Sequence, residues 1–299
     1  MNFRETGTSL DEEVSVERVG VVGCGLMGSG IAEIVARAGA NVMIVEQDAE
    51  AMARGRERIE KSLSRAVAAG KVPEDEANRA LANMLFSVDY ADLWDRQLVI
   101  EAVAENEEIK LAVFRKIDAE VKDPDALLAT NTSSIPIIKL AMVTKRPEHV
   151  IGMHFFNPVP VLKLVELISS LLTSPETSAR VRAYATDTLK KRVITSPDRA
   201  GFVVNALLIP YLLSAVRMLE SGFASAEDID TGMVVGCAHP MGPLALTDLI
   251  GLDTTLAVAE SLYEEFKEPH LAPPPLLSRM NQAGLLGRKT GQGFYSYKS

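Results

Sequence analysis

The sequence is short of cysteine, since its 299 residues include only Cys24 and Cys237. Two cysteines cannot build a disulfide framework, so both are predicted to be reduced. No segment contains the ~18 uninterrupted apolar residues of a membrane helix. The first segment, residues 1–15, is polar and acidic and has no apolar stretch like that of a signal peptide. These absences predict a cytoplasmic protein whose residues 1–15 form a disordered tail.

Positive charge is also in deficit, because 31 Lys and Arg against 40 Asp and Glu give a formal net charge of −9 at pH 7. Such a balance argues against a nucleic acid or an anionic membrane as the main partner. The sequence has no H-E-x-x-H motif and no cysteine pair, so no metal site is predicted. The remaining composition is that of an ordinary globular protein, long enough for two hydrophobic cores.

The N-terminal part contains a glycine-rich turn behind an apolar, β-branched run at 19–22. Its G-x-G-x-x-G spacing permits a tight strand-to-helix turn, close approach of a pyrophosphate and packing of the helix on the strand. The helix that begins there offers free N–H groups and a positive dipole end to phosphates. The turn therefore predicts a dinucleotide site, with candidate residues Gly23, Gly25, Leu26, Met27 and Gly28.

A second apolar strand at 41–45 ends in Glu46, 18 residues after Gly28. A carboxylate at this point can accept hydrogen bonds from both ribose hydroxyls of NAD. It would repel the additional phosphate of NADP, and the next residue, Gln47, supplies no compensating arginine. We therefore predict NAD as the cofactor. The alternative is a glycine-rich turn in an α/β domain that binds no nucleotide.

Strand and helix patterns alternate from residue 18 to about 197, which is typical of a parallel sheet with helices on both faces. After residue 201 the pattern is helical, with a capping box at 225–228. The predicted fold class is α/β: a Rossmann-type, doubly wound, mostly parallel sheet followed by an all-α C-terminal domain. The predicted domains are 16–198, which binds the dinucleotide, and 199–299, which is helical. Predicted strands include 41–45, 85–88, 98–102, 127–130, 150–154 and 164–168, and predicted helices include 48–69, 106–121, 202–219 and 248–266.

Polar residues gather between 130 and 166. His154, one of four histidines, lies 21 residues after Ser133 and 12 residues before Glu166. Ser133 follows one predicted strand and His154 ends the next, and ligands bind at that edge of open α/β sheets. A neutral imidazole accepts an alcohol proton near pH 7, and a carboxylate can orient it. The set predicts proton transfer at a carbonyl or hydroxyl carbon. The alternatives are a hydrogen-bonded core histidine and a serine that only caps a helix.

With these residues, the chain resembles the 3-hydroxyacyl-CoA dehydrogenases over nearly all of 16–297. The resemblance rests on long segments that occur in the family's order. These segments are GCGLMGSGIA (23–32), EAVAEN (101–106), TNTSS (130–134), HFFNPVPVLKLVEL (154–167), GFVVN (201–205), EDID (227–230), PMGP (240–243), GLD (251–253) and GRKTGQGFY (287–295).

The resemblance implies hydride transfer between the L-(S)-3-hydroxyacyl-CoA and NAD, giving 3-oxoacyl-CoA. It implies that His154 is the general base, that Glu166 is its electrostatic partner, and that Ser133 and Asn205 hydrogen-bond the substrate oxygen. It also implies a homodimer formed through the helical domain and closure of the two domains around the acyl-CoA. Further contacts implied for the cofactor are Glu105, Lys110, Ser133 and Asn157, and those implied for the substrate are Ser62, Lys71, Ser133 and Asn205.

One position departs from the family. Ala206 stands where an arginine usually follows the equivalent of Asn205, which puts the details of domain closure in doubt. Basic residues also cluster between 51 and 71, where they could meet the CoA phosphates or form a solvated helix face.

Other functions stay open at this point. A sugar-acid (L-gulonate-type) dehydrogenase would keep the fold and change the substrate, although the Phe-Phe pair after His154 favours acyl-CoA. A non-catalytic NAD-binding protein is a second alternative. A serine hydrolase is disfavoured, because the chain has no G-x-S-x-G elbow.

Overall fold

A computed structural model describes residues 16–297, so the predicted disordered tail at 1–15 lies outside the described residues. Eight strands form one sheet in the order β3-β2-β1-β4-β5-β6-β7-β8. All neighbouring strands are parallel except β6 and β7, which pair antiparallel. The predicted doubly wound, mostly parallel sheet is therefore confirmed. The strands are β1 (Arg18–Val22), β2 (Asn41–Val45), β3 (Met84–Ser87), β4 (Leu98–Glu101), β5 (Leu127–Thr130), β6 (Val150–Phe155), β7 (Leu164–Ser169) and β8 (Arg192–Pro197).

Helices cover both faces of the sheet. Buried residues of α1, α2, α3 and α6 pack in one apolar cluster with the sheet, and those of α4 and α5 pack in a second cluster on the opposite face. The strand order reverses between β1 and β4, and such a switch point opens a crevice at the carboxyl ends of the strands. These helices are α1 (Leu26–Arg37), α2 (Ala49–Ala68), α3 (Glu74–Ala82), α4 (Glu107–Glu120), α5 (Ile137–Ala141) and α6 (Pro175–Ala183).

The C-terminal part is helical and has its own apolar core. The predicted cap at Ser225 is present, since its hydroxyl accepts a hydrogen bond from the Asp228 N–H at 3.1 Å. The expectation of one helix over 248–266 is wrong, because Gly251 takes φ +103 and separates two helices. These helices are α7 (Val204–Glu220), α8 (Ala226–Thr231), α9 (Pro243–Ile250), α10 (Leu252–Phe266) and α11 (Pro275–Gln282).

Within residues 16–297, no helix combines the length and apolarity that crossing a membrane would require. The same part of the chain contains no group of three or more His, Cys, Asp or Glu that could hold a metal ion.

Candidate active site

The glycine turn joins β1 to α1, and its three glycines meet different steric demands. Gly23 has φ +88, and a Cβ there would lie 2.8 Å from the Ala102 carbonyl oxygen. A Cβ on Gly28 would lie 1.9 Å from the Gly23 carbonyl oxygen, so helix and strand approach closely. Gly25 has no atom within 4 Å of its Cβ position, so its outer side is open to a ligand. Leu26 is 63% exposed beside this opening, and Met27 is half-buried.

Glu46 follows β2 and borders the same turn. One carboxylate oxygen accepts a hydrogen bond from the Cys24 N–H at 2.5 Å, and the other accepts one from the Gln47 N–H at 3.0 Å. Burial, together with the Glu46 charge, raises the pKa of the Cys24 thiol to about 12, so this thiol stays protonated. A cavity of ≈ 330 Å³ lies over the turn. Its lining includes Gly23, Gly25, Glu46, Arg54 and Arg58.

His154 and Glu166 face each other across the antiparallel pair β6–β7. His154 Nδ1 lies 2.7 Å from Glu166 Oε2, and Glu166 is fully buried. With Nδ1 held by the carboxylate, Nε2 is the ring nitrogen left to exchange a proton with a ligand. The imidazole also contacts the Phe156 ring at a centroid distance of 4.6 Å and the Phe202 ring at 5.6 Å. Apolar walls around a partnered imidazole suit proton transfer away from bulk water.

The second oxygen of Glu166 reaches the helical part of the chain. Glu166 Oε1 accepts hydrogen bonds from the N–H groups of Val203 at 3.1 Å and Val204 at 2.9 Å, where α7 begins. Asn205 lies in the first turn of α7 and is half-buried, and its side-chain amide has no hydrogen bond with the described part of the chain. One carboxylate therefore orients His154 and anchors the helix end that carries Asn205.

Glu105 organises the loop after β5. Its Oε1 accepts hydrogen bonds from the Thr132 hydroxyl at 2.6 Å, the Ser133 N–H at 2.8 Å and the Ser134 N–H at 3.0 Å. Burial acts to raise the pKa of Glu105, but the nearby Lys110 charge and these hydrogen bonds outweigh it, so the pKa is lowered. Glu105 is thus held as a carboxylate beneath Ser133.

Next to Glu105, Lys110, which the resemblance implies as a cofactor contact, forms a buried ion pair with Glu101, a residue not among the predicted site residues. Lys110 is 1% exposed, and its Nζ donates to Glu101 Oε1 at 2.7 Å and lies 3.3 Å from Glu105 Oε2. Glu101, at the end of β4, also accepts hydrogen bonds from the Val103 N–H and the Thr130 hydroxyl, each at 2.7 Å. The signal available in the sequence was a carboxylate within an apolar strand, last in β4 for Glu101 and in the middle of β7 for Glu166.

The neighbouring strand ends are tied together. Asn131 Oδ1, after β5, accepts a hydrogen bond from the Phe155 N–H at 2.9 Å, next to His154. Because β4, β5 and β6 are adjacent in the sheet, Glu105, Ser133 and His154 lie at one edge. Asn157 is exposed just beyond β6. The structure thus brings these candidates to the carboxyl edge beside the glycine turn.

The substrate candidates on and after α2 are set apart. Ser62 is half-buried and faces the Glu33 carboxylate of α1, although the two make no hydrogen bond of standard geometry. Lys71 is exposed beyond the helix end. The basic stretch is divided: Arg56 packs on the Phe86 ring at 4.4 Å from the guanidinium carbon, while Arg54 and Arg58 line the cavity over the turn. The CoA role of Ser62 and Lys71 stays a prediction.

Two family models match the chain, one over the sheet part and one over the helical part. The family model described as 3-hydroxyacyl-CoA dehydrogenase, NAD binding domain, matches residues 18–199, and the model of the C-terminal domain of that family matches 201–297. A 3-hydroxybutyryl-CoA dehydrogenase of Mycobacterium tuberculosis (strain CDC 1551 / Oshkosh) is 58% identical over 283 residues, covering 95% of this chain and 99% of the relative.

Solved structures agree with this similarity. The crystal structure of M. tuberculosis FadB2 aligns with a TM-score of 0.94 at 58% identity, covering 95% of this chain and 100% of that one. The (S)-3-hydroxybutyryl-CoA dehydrogenase PaaH1 of Ralstonia eutropha aligns with a TM-score of 0.90 at 47% identity, with the same coverage of 95% and 100%.

Proposed function

The chain belongs to the 3-hydroxyacyl-CoA dehydrogenase family, and from that premise we propose that it interconverts L-(S)-3-hydroxyacyl-CoA and 3-oxoacyl-CoA as an NAD-dependent dehydrogenase. We propose 3-hydroxybutyryl-CoA as the substrate, because relatives named 3-hydroxybutyryl-CoA dehydrogenase match almost the whole chain. The observation that carries the proposal is the buried His154–Glu166 pair, with Nδ1 and Oε2 2.7 Å apart, at the sheet edge beside the glycine turn.

The residues around the turn fit a nicotinamide dinucleotide. Gly25 leaves open space where a pyrophosphate would approach, and α1 presents its N-terminus there. Glu46 offers a carboxylate to the adenosine ribose at the end of β2. When bound, NAD would accept the hydride that leaves C3 of the substrate.

In the proposed mechanism His154 moves the proton. Its Nε2 takes the proton of the substrate hydroxyl in the oxidative direction and returns it in the reductive direction. Glu166 stabilises the imidazolium that forms, and its burial makes that attraction stronger than it would be in water. Ser133 and Asn205 hold the substrate oxygen by hydrogen bonds, for which the Asn205 amide is available because it has no hydrogen-bond partner within residues 16–297.

The remaining candidates act around this centre. Lys110, which is buried, supports Glu105 by charge, and Glu105 in turn holds the loop of Ser133. Asn157 is exposed at the same edge and can reach the cofactor. We assign the CoA end to Ser62 and Lys71. The homodimer, the cytoplasmic location, the closure around acyl-CoA and the domain limits 16–198 and 199–299 stay predictions.

The experiment that tests the proposal follows NADH oxidation at 340 nm with acetoacetyl-CoA, beside free acetoacetate and beside NADPH. Turnover with acetoacetyl-CoA and NADH is the expected result. Turnover only with the free keto acid would instead indicate a dehydrogenase of the sugar-acid type. Absence of turnover while NADH still binds would contradict the catalytic proposal.

A further inference from the structure

Two arginines of α2 face the glycine turn. Arg54 and Arg58 are four residues apart, so they lie on one face of the helix, and both line the cavity that Glu46 also lines. Gly55 brings the helix this close, since a Cβ there would lie 2.7 Å from the Cβ of Cys24. The close packing places two guanidinium groups beside the position predicted for the adenosine ribose.

The residue Cys24 lies between charges of opposite sign. Glu46 Oε1 accepts a hydrogen bond from the Cys24 N–H, and Arg58 Nη1 donates one to the Cys24 carbonyl at 3.0 Å. The anion and the cation are therefore held on the two sides of one residue. A ligand group that contacts Glu46 lies within reach of the Arg58 guanidinium.

Arg54 is free to change partner. It pairs with Glu50 one helical turn earlier, but the two side chains are 52% and 86% exposed, and such surface pairs contribute little. Arg54 and Arg58 are the basic side chains of α2 in the lining of this cavity, whereas Arg56 packs on the Phe86 ring.

We propose that Arg54 and Arg58 form a phosphomonoester subsite beside the adenosine ribose, and that Glu46 keeps this subsite closed to NADP(H). The proposal rests on the proposed use of a nicotinamide cofactor and deepens it. Guanidinium groups bind phosphate by paired, charge-assisted hydrogen bonds. A carboxylate in the same cavity repels a phosphate that carries almost two negative charges. NAD preference at this site then depends on one carboxylate, because the cationic half of an NADP site is already present.

The test measures binding of NADPH and of NADH by fluorescence titration, without acyl-CoA. For Glu46→Gln we expect NADPH to bind at least about tenfold more tightly than to the native protein. We expect NADH to bind about tenfold more weakly, since a charged hydrogen-bond acceptor is lost. An unchanged NADPH affinity in this variant would overturn the proposal.

The arginines are tested in the same background. Adding Arg54→Gln and Arg58→Gln to Glu46→Gln is expected to abolish the gain in NADPH affinity, whereas adding Arg56→Gln, the matched control on the same helix, is expected to keep it. A gain that survives the loss of Arg54 and Arg58 would overturn the proposal.

A further variant covers the case in which the Glu46 variants do not fold. Arg54→Gln alone is expected to weaken the residual binding of NADPH several-fold and to leave NADH binding unchanged; an equal effect on both cofactors would contradict the subsite. Because binding is read without turnover, failure of acetoacetyl-CoA reduction would be recognised separately.

Discussion

Glu33 of α1 is 1% exposed, and neither of its carboxylate oxygens has a hydrogen-bond partner among the described residues. Arg37 Nη1 lies 3.7 Å from Glu33 Oε1. Burial raises the pKa of Glu33 more than the facing Ser62 hydroxyl and the nearby arginines lower it. A raised pKa in the folded state means that the protonated form is stabilised, so the favourable contribution is present at low pH and is lost as the pH rises.

We therefore predict that Glu33→Gln raises the melting temperature at pH 8 by about 2 °C or more, because it removes a buried, poorly paired charge. The difference should shrink towards pH 4, where the native carboxyl becomes protonated. Thermal unfolding at both pH values measures this. Glu57→Gln, at a fully exposed position, is the control and should change little. Destabilisation by Glu33→Gln at pH 8 would contradict the argument.

Removing the carboxylate of the Glu101–Lys110 pair should destabilise the protein, in contrast to Glu33→Gln, because both charges of this pair are buried and partnered. Glu101→Gln removes the closer of the two carboxylates that pair with the buried Lys110 ammonium, leaving Glu105 Oε2 at 3.3 Å, and should lower the free energy of unfolding by about 3–5 kcal/mol. Urea unfolding measures the loss. The matched control is Glu107→Gln, which breaks an exposed pair with Lys139 and should cost under about 1 kcal/mol. Equal effects in the two variants would contradict a structural role for the buried pair.

Among single residues, those at strand ends were predictable from the sequence and those on helix faces were less so. Glu46, Ser133 and His154 follow or end apolar runs, and in a parallel sheet such ends share one edge. Arg54 and Arg58 were placed in a general basic stretch, because a run of six basic residues does not indicate which of them a packed glycine brings against the turn. The contact of Gly55 with Cys24, which brings this part of α2 against the turn, is visible only in the structure.

At the scale of elements, the parallel direction of most strands follows from the alternation of strands and helices, while the antiparallel direction of β7 follows from loop length. Residues 156–163 connect β6 to β7, and a parallel crossover needs about a dozen residues or more. The antiparallel turn that results is what sets Glu166 opposite His154. β8 was not singled out, since its apolar content is limited to Val193 and Ile194 before a Thr-Ser-Pro segment.

The break between α9 and α10 could not be read from helical periodicity, because Gly251 interrupts it by conformation rather than by polarity. Its φ of +103 is a region that L side chains rarely adopt, and a Cβ would lie 2.8 Å from Asp253 Oδ1. Gly251→Ala should therefore lower the free energy of unfolding by about 1–3 kcal/mol. Gly232→Ala, where a Cβ meets no atom within 4 Å and the backbone is helical, should be neutral or stabilising. Chemical denaturation of both variants decides the point, and equal effects would contradict it.

At the scale of the whole molecule, the sheet and the helical part meet through a few polar contacts around the proposed site. Ser261 of α10 donates to the Ser134 carbonyl at 3.0 Å, and Glu166 of β7 accepts hydrogen bonds from the N–H groups of Val203 and Val204. The chain crosses between the two cores here, since Ala200 packs in the helical core and Phe202 in a sheet core. The residue pattern predicted two parts, but not which side chains join them.

Glu166 is expected to affect both activity and stability, because it contacts His154 and the first residues of α7. Glu166→Ala leaves His154 without its partner and the Val203 and Val204 N–H groups without an acceptor. It should therefore lower the melting temperature more than His154→Ala does, because buried unpaired donors cost about 1–3 kcal/mol each. Differential scanning fluorimetry of the two variants tests this, and a smaller loss for Glu166→Ala would mean that the bridge to α7 contributes nothing.

The proton-transfer role of His154 is the central claim, and the most direct test is kcat for acetoacetyl-CoA reduction by His154→Ala. Loss of a general acid–base group predicts a fall of about 10²–10⁴-fold, with NADH binding retained because His154 lies outside the glycine turn. Near-native kcat in a folded variant that binds NADH would contradict the account.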